Sequence, residues 1–219
     1  MIGQPLTCDL LRGSLAGFAG HVVWADVGTA AEDAEHPLHR FHRAVGGPWR
    51  AACSLWAQHY FNALLIPGAA LLATSFPPQA KVAAITPAFC STTGSPLGFA
   101  LHAQPSSAGF VHDLSRLLKA DLVARIDIIH RAAGLSRRML EESAALSWAW
   151  AVQEIAVLDP AASRRLSRRA VLLDLPMMPA FKTVIAGPPS KRRFCCLRWT
   201  VPGCRACPDI CPIQARAES

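Results

Sequence analysis

No apolar run in this chain is long enough to cross a bilayer. The longest, Ala63 to Ala73, is interrupted by Pro67-Gly68, whereas a spanning helix needs about 20 apolar residues. The first dozen residues carry Asp9 ahead of any uninterrupted apolar segment and no basic leader. A secretory signal is therefore not expected, and the chain reads as soluble and cytoplasmic. Charge is sparse: 17% of the 219 residues are charged and 52% are hydrophobic, which excludes the disordered and acidic-tail classes. Nucleotide signatures are missing as well. There is no G-x-G-x-x-G after a strand and no G-x4-G-K-[ST], so redox chemistry here must draw its electrons from a partner. No internal repeat or extended low-complexity stretch occurs. The length suits one domain with a core and a short appendix.

What is present is unevenly placed. Residues 1–124 hold seven basic and seven acidic side chains, and residues 125–219 hold fifteen and eight, so the whole excess of +7 lies in the second part. A basic half is compatible with nucleic acid, a membrane surface, an anionic ligand or an acidic partner protein, and equally with a solvated Arg-rich face. Cysteine is more informative. Of eight cysteines, Cys8, Cys53 and Cys90 are scattered and read as ordinary small apolar residues. Cys195, Cys196, Cys204, Cys207 and Cys211 fall within seventeen residues. In a chain of this size without an export signal, that density points to a metal site rather than to disulfides.

Periodicity places the elements. Residues 26–48 read as an exposed connection. Cys53, Trp56, Tyr60 and Leu64 recur at helical spacing after Pro48, and Pro67-Gly68 is expected to end or kink that helix. Val82 to Thr86 and Leu97 to Ala103 read as two strands of a hairpin around Ser91–Pro96. Val111, Leu114, Leu118, Leu122, Ile126 and Ile129 define one helix face, closed by Gly134. A second helix, from about Ser136 to Leu158, carries Leu140, Ala144, Trp148, Val152 and Ile155 on one side, with Trp150 towards its surface. Asp159-Pro160 then offers a cap and a first-turn proline, followed by a short helix with Arg164, Arg165, Arg168 and Arg169 opposite Leu166, Ala170 and Leu173. Phe181 to Ala186 reads as a last strand before a Gly187-Pro188-Pro189 hinge. The expected fold is a helix-rich α+β domain over residues 1–190 with a small antiparallel sheet, and a cysteine-rich segment over 191–219.

The cysteine segment carries the chemistry. Thiolates are soft ligands suited to zinc or to iron–sulfur clusters, and Cys204 and Cys207, two residues apart, can grip one metal from a tight turn. Cys195 and Cys196 are adjacent, so their side chains diverge. They fit a small tetrahedral site poorly and a two-iron cluster better. Zinc sites normally use two separated C-x2-C pairs, and here there is one. The chemistry favours iron–sulfur over zinc. The run from Cys204 also echoes part of a ferredoxin motif but lacks its first cysteine, so a four-iron cluster is disfavoured.

These residues also carry a resemblance. Cys195-Cys196, Trp199, Val201-Pro202-Gly203 and the C-x2-C of Cys204 and Cys207 resemble the C-terminal motif of the siderophore-iron reductase (FhuF-like) family. Ser54 to Pro67, Leu146-Ser147-Trp148, and Phe181-Lys182-Thr183 with Arg192-Arg193 are similar to other parts of that family, so the likeness runs from about residue 48 onward. The resemblance implies a [2Fe-2S] cluster on Cys195, Cys196, Cys204 and Cys207. It implies one-electron reduction of Fe(III) in a hydroxamate-type siderophore chelate, with a separate electron-donor protein. The family's spacing between the two cysteine pairs is longer. Seven residues separate Cys196 from Cys204 here, and Cys211 could displace one ligand. Arg192, Arg193, Arg198 and Arg205 would raise the potential and attract an anionic chelate or acidic donor.

Other candidates are weaker. His59, with Tyr60 and Asn62, could line a chelate pocket or simply be packed. His36, His39 and His42 could bind metal on a helix or lie in an exposed segment. The rival function is a zinc-binding module contacting nucleic acid through the basic half, though nucleic acid is not the expected partner, since the tail lacks histidines and interleaved aromatics. A siderophore-binding relative without redox activity is a third reading. Peripheral membrane contact through the basic face is also compatible with the sequence.

Overall fold

The computed structural model describes residues 8–25, 35–75, 79–106, 109–170, 194–205 and 207. A 3-10 segment, Gly13–His21, leads into β1 (Val22–Ala25), α1 (Glu35–Val45) and α2 (Trp49–Ala73). Next come β2 (Ala80–Phe89), β3 (Pro96–Pro105), α3 (Phe110–Ala133), α4 (Arg137–Leu158) and α5 (Pro160–Ala170), with a short 3-10 turn at Arg198–Thr200. The result is the expected helix-rich α+β domain around one hydrophobic core.

α2 is the axis of that core. It is apolar on nearly every side, the mark of a helix enclosed by neighbours. Trp56, Ala57, Phe61 and Leu65 have no exposed surface, and α3, α4, α5, the sheet and the first 3-10 segment pack around it. Of the two outcomes expected at Pro67-Gly68, the helix does not end there but continues to Ala73. An internal proline costs roughly 3 kcal/mol. Leu71 and Leu72 lie beyond it and are fully buried, and burial of each contributes about 1.5–3 kcal/mol, so tertiary packing outweighs the break. Arg165 of α5 completes the helix end by donating from Nε to the carbonyl of Ala73 at 2.8 Å. That arginine therefore serves packing, while Arg164 and Arg168 stay exposed opposite buried Ala162 and Leu166.

The hairpin of β2 and β3 forms as expected, antiparallel with Thr86 opposite Ala100. The sheet is nevertheless mixed rather than purely antiparallel, because β1 adds to the other edge of β3 in parallel, Val22 opposite Phe99. Four residues are too few to show alternation in the sequence. Gly98 permits this join: its φ is +142°, and a Cβ there would fall 2.0 Å from the carbonyl oxygen of His21.

A second departure is α1, which occupies part of the stretch read as an exposed connection. Pro37 sits in its first turn, where a missing N–H costs nothing, and Leu38 and Phe41, three apart, are buried. The remaining helices follow their periodicity. α3 ends at Gly134, whose N–H bonds the carbonyl of His130 at 2.9 Å. α4 starts at Ser136, whose Oγ accepts the N–H of Met139. Asp159 Oδ1 accepts the N–H of Ala161 at 2.8 Å, capping α5. No described helix is long and apolar enough to cross a membrane. The strand expected at 181–186, the hinge at 187–189 and the boundary at 190–191 lie outside the described residues.

Candidate metal centre

The cysteine segment is shaped by two reversals. Leu197 adopts a left-handed conformation, φ 58°, which costs a non-glycine residue of order 1 kcal/mol and turns the chain directly after the cysteine pair. Its carbonyl then accepts the N–H of Thr200 at 3.0 Å and the Thr200 hydroxyl at 2.7 Å. The Val201-Pro202-Gly203 turn follows, closed by the N–H of Cys204 on the carbonyl of Val201 at 3.1 Å. This path carries the chain back on itself. Cys196 and Cys207, eleven positions apart, come together with Sγ atoms 3.5 Å from each other, both buried.

Three contacts seat the segment on the domain. Val201 enters the main core, with Leu197 and Cys204 packed against it. Pro202 and Thr200 lie against the corner between α1 and α2, where Gly47 has φ +77° and a Cβ would meet Pro202 Cδ at 2.9 Å and the Thr200 carbonyl oxygen at 3.1 Å. On the α4 side, the N–H of Phe194 donates to Glu142 Oε2 at 3.1 Å, and Glu142 is buried. His59 of α2 joins this neighbourhood. Its ring meets Phe41 edge-on at 5.7 Å, and desolvation, then the nearby Arg198 charge, hold its pKa below the ordinary 6.5.

The donor chemistry fits a thiolate-bound metal. Two sulfurs on one tetrahedral ion with bonds of about 2.3 Å lie about 3.8 Å apart, close to the 3.5 Å between Cys196 and Cys207. Cys195 Sγ accepts the N–H of Leu197 at 3.3 Å, the kind of hydrogen bond that tunes a ligand sulfur. Of the four cysteines expected as ligands, Cys196 and Cys207 are brought into contact. Cys195 turns to Leu197, and Cys204 packs on the core. Among the described residues, no group of three or more His, Cys, Asp or Glu side chains is gathered as a metal site. Cys211, Arg192 and Arg193 lie outside the described residues; Arg205 is exposed.

A cavity of about 480 Å³ lies between α2, α4 and the first 3-10 segment. Phe18 and Trp150 supply aromatic faces, 6.0 Å between centroids. Gln58 and Asn62, four apart on α2, oppose Ser143 and Ser147, four apart on α4. Ser147 Oγ donates to Asn62 Oδ1 at 2.6 Å across that gap. Glu142 of α4 bonds the cysteine segment and His59 of α2 lies near Arg198, so the cavity and the segment are built on the same two helices.

The other candidates resolve differently. Asn62 lines the cavity, but Tyr60 does not: it is buried, stacked on Trp56 at 5.1 Å, donating to Asp121 Oδ2 and accepting from Arg125 Nε at 3.2 Å. His39 stacks on Trp49 at 4.8 Å and His42 meets the same ring edge-on, so both serve packing at the α1–α2 corner. Cys53 is a core residue, its thiol pushed up to about 12 by burial. Cys90 departs from the apolar reading. It opens the β2–β3 turn with Sγ 3.1 Å from Thr92 Oγ1, and hydrogen bonds from Thr92 and Thr93 lower its pKa to about 6. Glu142, Gln58 and the serine pair were not singled out from sequence; polar residues four apart in otherwise apolar helices were the available signal. Compared with protein-family models and with curated proteins, the chain matches none.

Proposed function

We propose that the chain is a ferric-siderophore reductase that holds a [2Fe-2S] cluster on Cys195, Cys196, Cys204 and Cys207 and works in the cytoplasm. The observation that carries this reading is the pairing of Cys196 and Cys207 at 3.5 Å in a segment seated on the two helices that wall the cavity. A [2Fe-2S] group, when bound, supplies one electron at a time. Fe(III) held by hard oxygen ligands needs only that one electron to become Fe(II), a softer and less charged ion that the chelate releases.

The protein's own residues have distinct tasks in this reading. The cavity receives the chelate: Phe18 and Trp150 cover its apolar faces, and Gln58, Asn62 and Ser143 bond its carbonyl and hydroxyl edges. Buried Glu142 fixes the approach of the segment by holding the Phe194 N–H. Arg198 and exposed Arg205 place positive charge at the segment, which draws an acidic donor protein. The electron comes from that donor, since the chain carries no nucleotide motif.

The deciding measurement is ultraviolet–visible and EPR spectroscopy on protein purified without oxygen, with iron, sulfide and zinc assayed on the same sample. The expected result is red-brown protein with about two irons and two sulfides per chain, EPR-silent until reduced. Replacing Cys204 with Ser removes the colour and replacing Cys211 with Ser leaves it. Colourless protein with one zinc overturns the electron-transfer reading and favours a zinc module.

A further inference from the structure

We infer that Cys196 and Cys207 are a thiol–disulfide pair, a modification site that peroxide oxidises selectively among the cysteines of the segment. Their sulfurs lie 3.5 Å apart and must close to about 2.05 Å for a bond, a move of about 1.5 Å. Side-chain rotation and the Val201–Gly203 turn between them can supply it. The two thiols are 4% and 5% exposed. Hydrogen peroxide is small enough to enter such a site, whereas larger oxidants are kept out.

The chemistry balances in two steps. One thiol gives up its proton and attacks peroxide as the thiolate; the O–O bond breaks, and the departing hydroxide takes up that proton, leaving a sulfenic acid and one water. The second thiol then displaces the sulfenic oxygen as a second water, giving the disulfide. Overall, two thiols lose two electrons and two protons to one peroxide. Burial favours the second step, because the sulfenic acid meets its partner sulfur sooner than another peroxide. Cys195, adjacent in sequence, turns its sulfur to the Leu197 N–H instead, and Cys204 is held against the core; among the described residues, the sulfur contact to Cys207 comes from Cys196.

A non-reducing tryptic map of the metal-free full chain carrying Cys90→Ser, which removes the reactive turn thiol, after one equivalent of peroxide tests this. Cleavage after arginine yields peptides 194–198 with Cys195 and Cys196, 199–205 with Cys204, and 206–216 with Cys207 and Cys211. The expected product links 194–198 to 206–216 and consumes about two thiols per chain. The link survives Cys195→Ser and Cys211→Ser and is lost in Cys196→Ser. With the segment unaltered, fragmentation of the linked peptides places the bond independently. A main product through peptide 199–205, a link that persists in Cys196→Ser, or sulfinic and sulfonic acids alone overturn the pairing.

One consequence rests on the cluster reading. The disulfide withdraws two of the four proposed thiolates, so iron uptake by the metal-free chain stops after peroxide and returns after a dithiol reductant. A fully reduced chain that takes up no iron counts against the cluster and leaves the pairing standing. A disulfide map without this pair counts against the pairing whatever the iron content.

Discussion

The N–H of Phe194 donates to Glu142 Oε2 at 3.1 Å, tying the residue just ahead of the cysteine pair to α4, fifty-two positions earlier. A hydrogen bond to a charged group is worth about 1.5–3 kcal/mol, and the lower end applies because the donor is partly wet. Glu142→Ala therefore accelerates amide exchange at Phe194 by about tenfold, and Glu142→Gln by less, since an acceptor remains. The helical circular-dichroism signal stays unchanged in both. Unaltered exchange at Phe194 in the alanine variant would remove this contact as an anchor.

Gly47 and Gly46 make a matched pair at the α1–α2 corner. Both have positive φ, 77° and 71°, but a Cβ on Gly47 lies 2.9 Å from Pro202, whereas one on Gly46 meets the same ring at 3.9 Å. Each Gly→Ala change costs roughly 1 kcal/mol in backbone conformation. Only Gly47→Ala also displaces the cysteine segment. On the proposed cluster reading, bound metal per chain falls in Gly47→Ala and stays near the parent value in Gly46→Ala; equal metal contents would contradict the docking.

Tyr60 sets an alkaline limit on stability. Burial first, then the Asp121 charge, hold its hydroxyl pKa well above the ordinary 10. The folded state keeps this proton where the unfolded state releases it, so the contribution is complete below about pH 10 and fades as pH climbs towards the folded value. Denaturant unfolding should show that loss in the parent and not in Tyr60→Phe. At neutral pH the phenylalanine variant is itself weaker by about 1–3 kcal/mol, because Asp121 and Arg125 lose the hydroxyl between them.

On the proposed reductase reading, cavity substitutions separate chelate binding from electron supply. Gln58→Leu or Ser143→Ala removes one hydrogen-bonding group from a wall, worth about 0.5–1.5 kcal/mol. That reading expects KM for the ferric chelate to rise about 2- to 10-fold while kcat and the visible spectrum hold. An unchanged KM in both variants would place the chelate elsewhere.

Among Cys8, Cys53 and Cys90, Cys90 is the thiol that alkylating reagents should find first. With a pKa of about 6 it is mostly thiolate at pH 7, unlike Cys53 at about 12, and thiolate is the reactive form. Peptide mapping after brief iodoacetamide treatment at pH 7 is expected to show Cys90 modified before Cys8 and Cys53. Replacing Thr92 and Thr93 with valine slows it. Equal rates at all three would show that the turn does not stabilise the thiolate.

Much of the fold was legible because helical periodicity is a local property. The faces of α3 and α4, the start of α4 near Ser136, the Asp159 cap and the Gly134 stop each depend on residues within a few positions of one another. The continuation of α2 through Pro67 was not legible, since it depends on Leu71 and Leu72 finding neighbours distant in sequence. The parallel addition of β1 was hidden for the same reason: its partner is β3, more than seventy residues away. Tyr60 read as lying on an apolar helix face, with pocket lining left open; its role as a buried hydrogen-bonding centre was hidden because Asp121 and Arg125 reach it from α3.

By itself the sequence determined the helix-rich α+β class, the hairpin and the concentration of thiols near Cys195–Cys207, because composition, period and spacing are written along the chain. Which two of those thiols meet was decided by the left-handed Leu197 and the turn after Val201. Which helices the segment shares with the cavity was decided by Glu142, Gly47 and Val201. These are contacts between residues far apart in sequence, and only packing of the whole domain selects them.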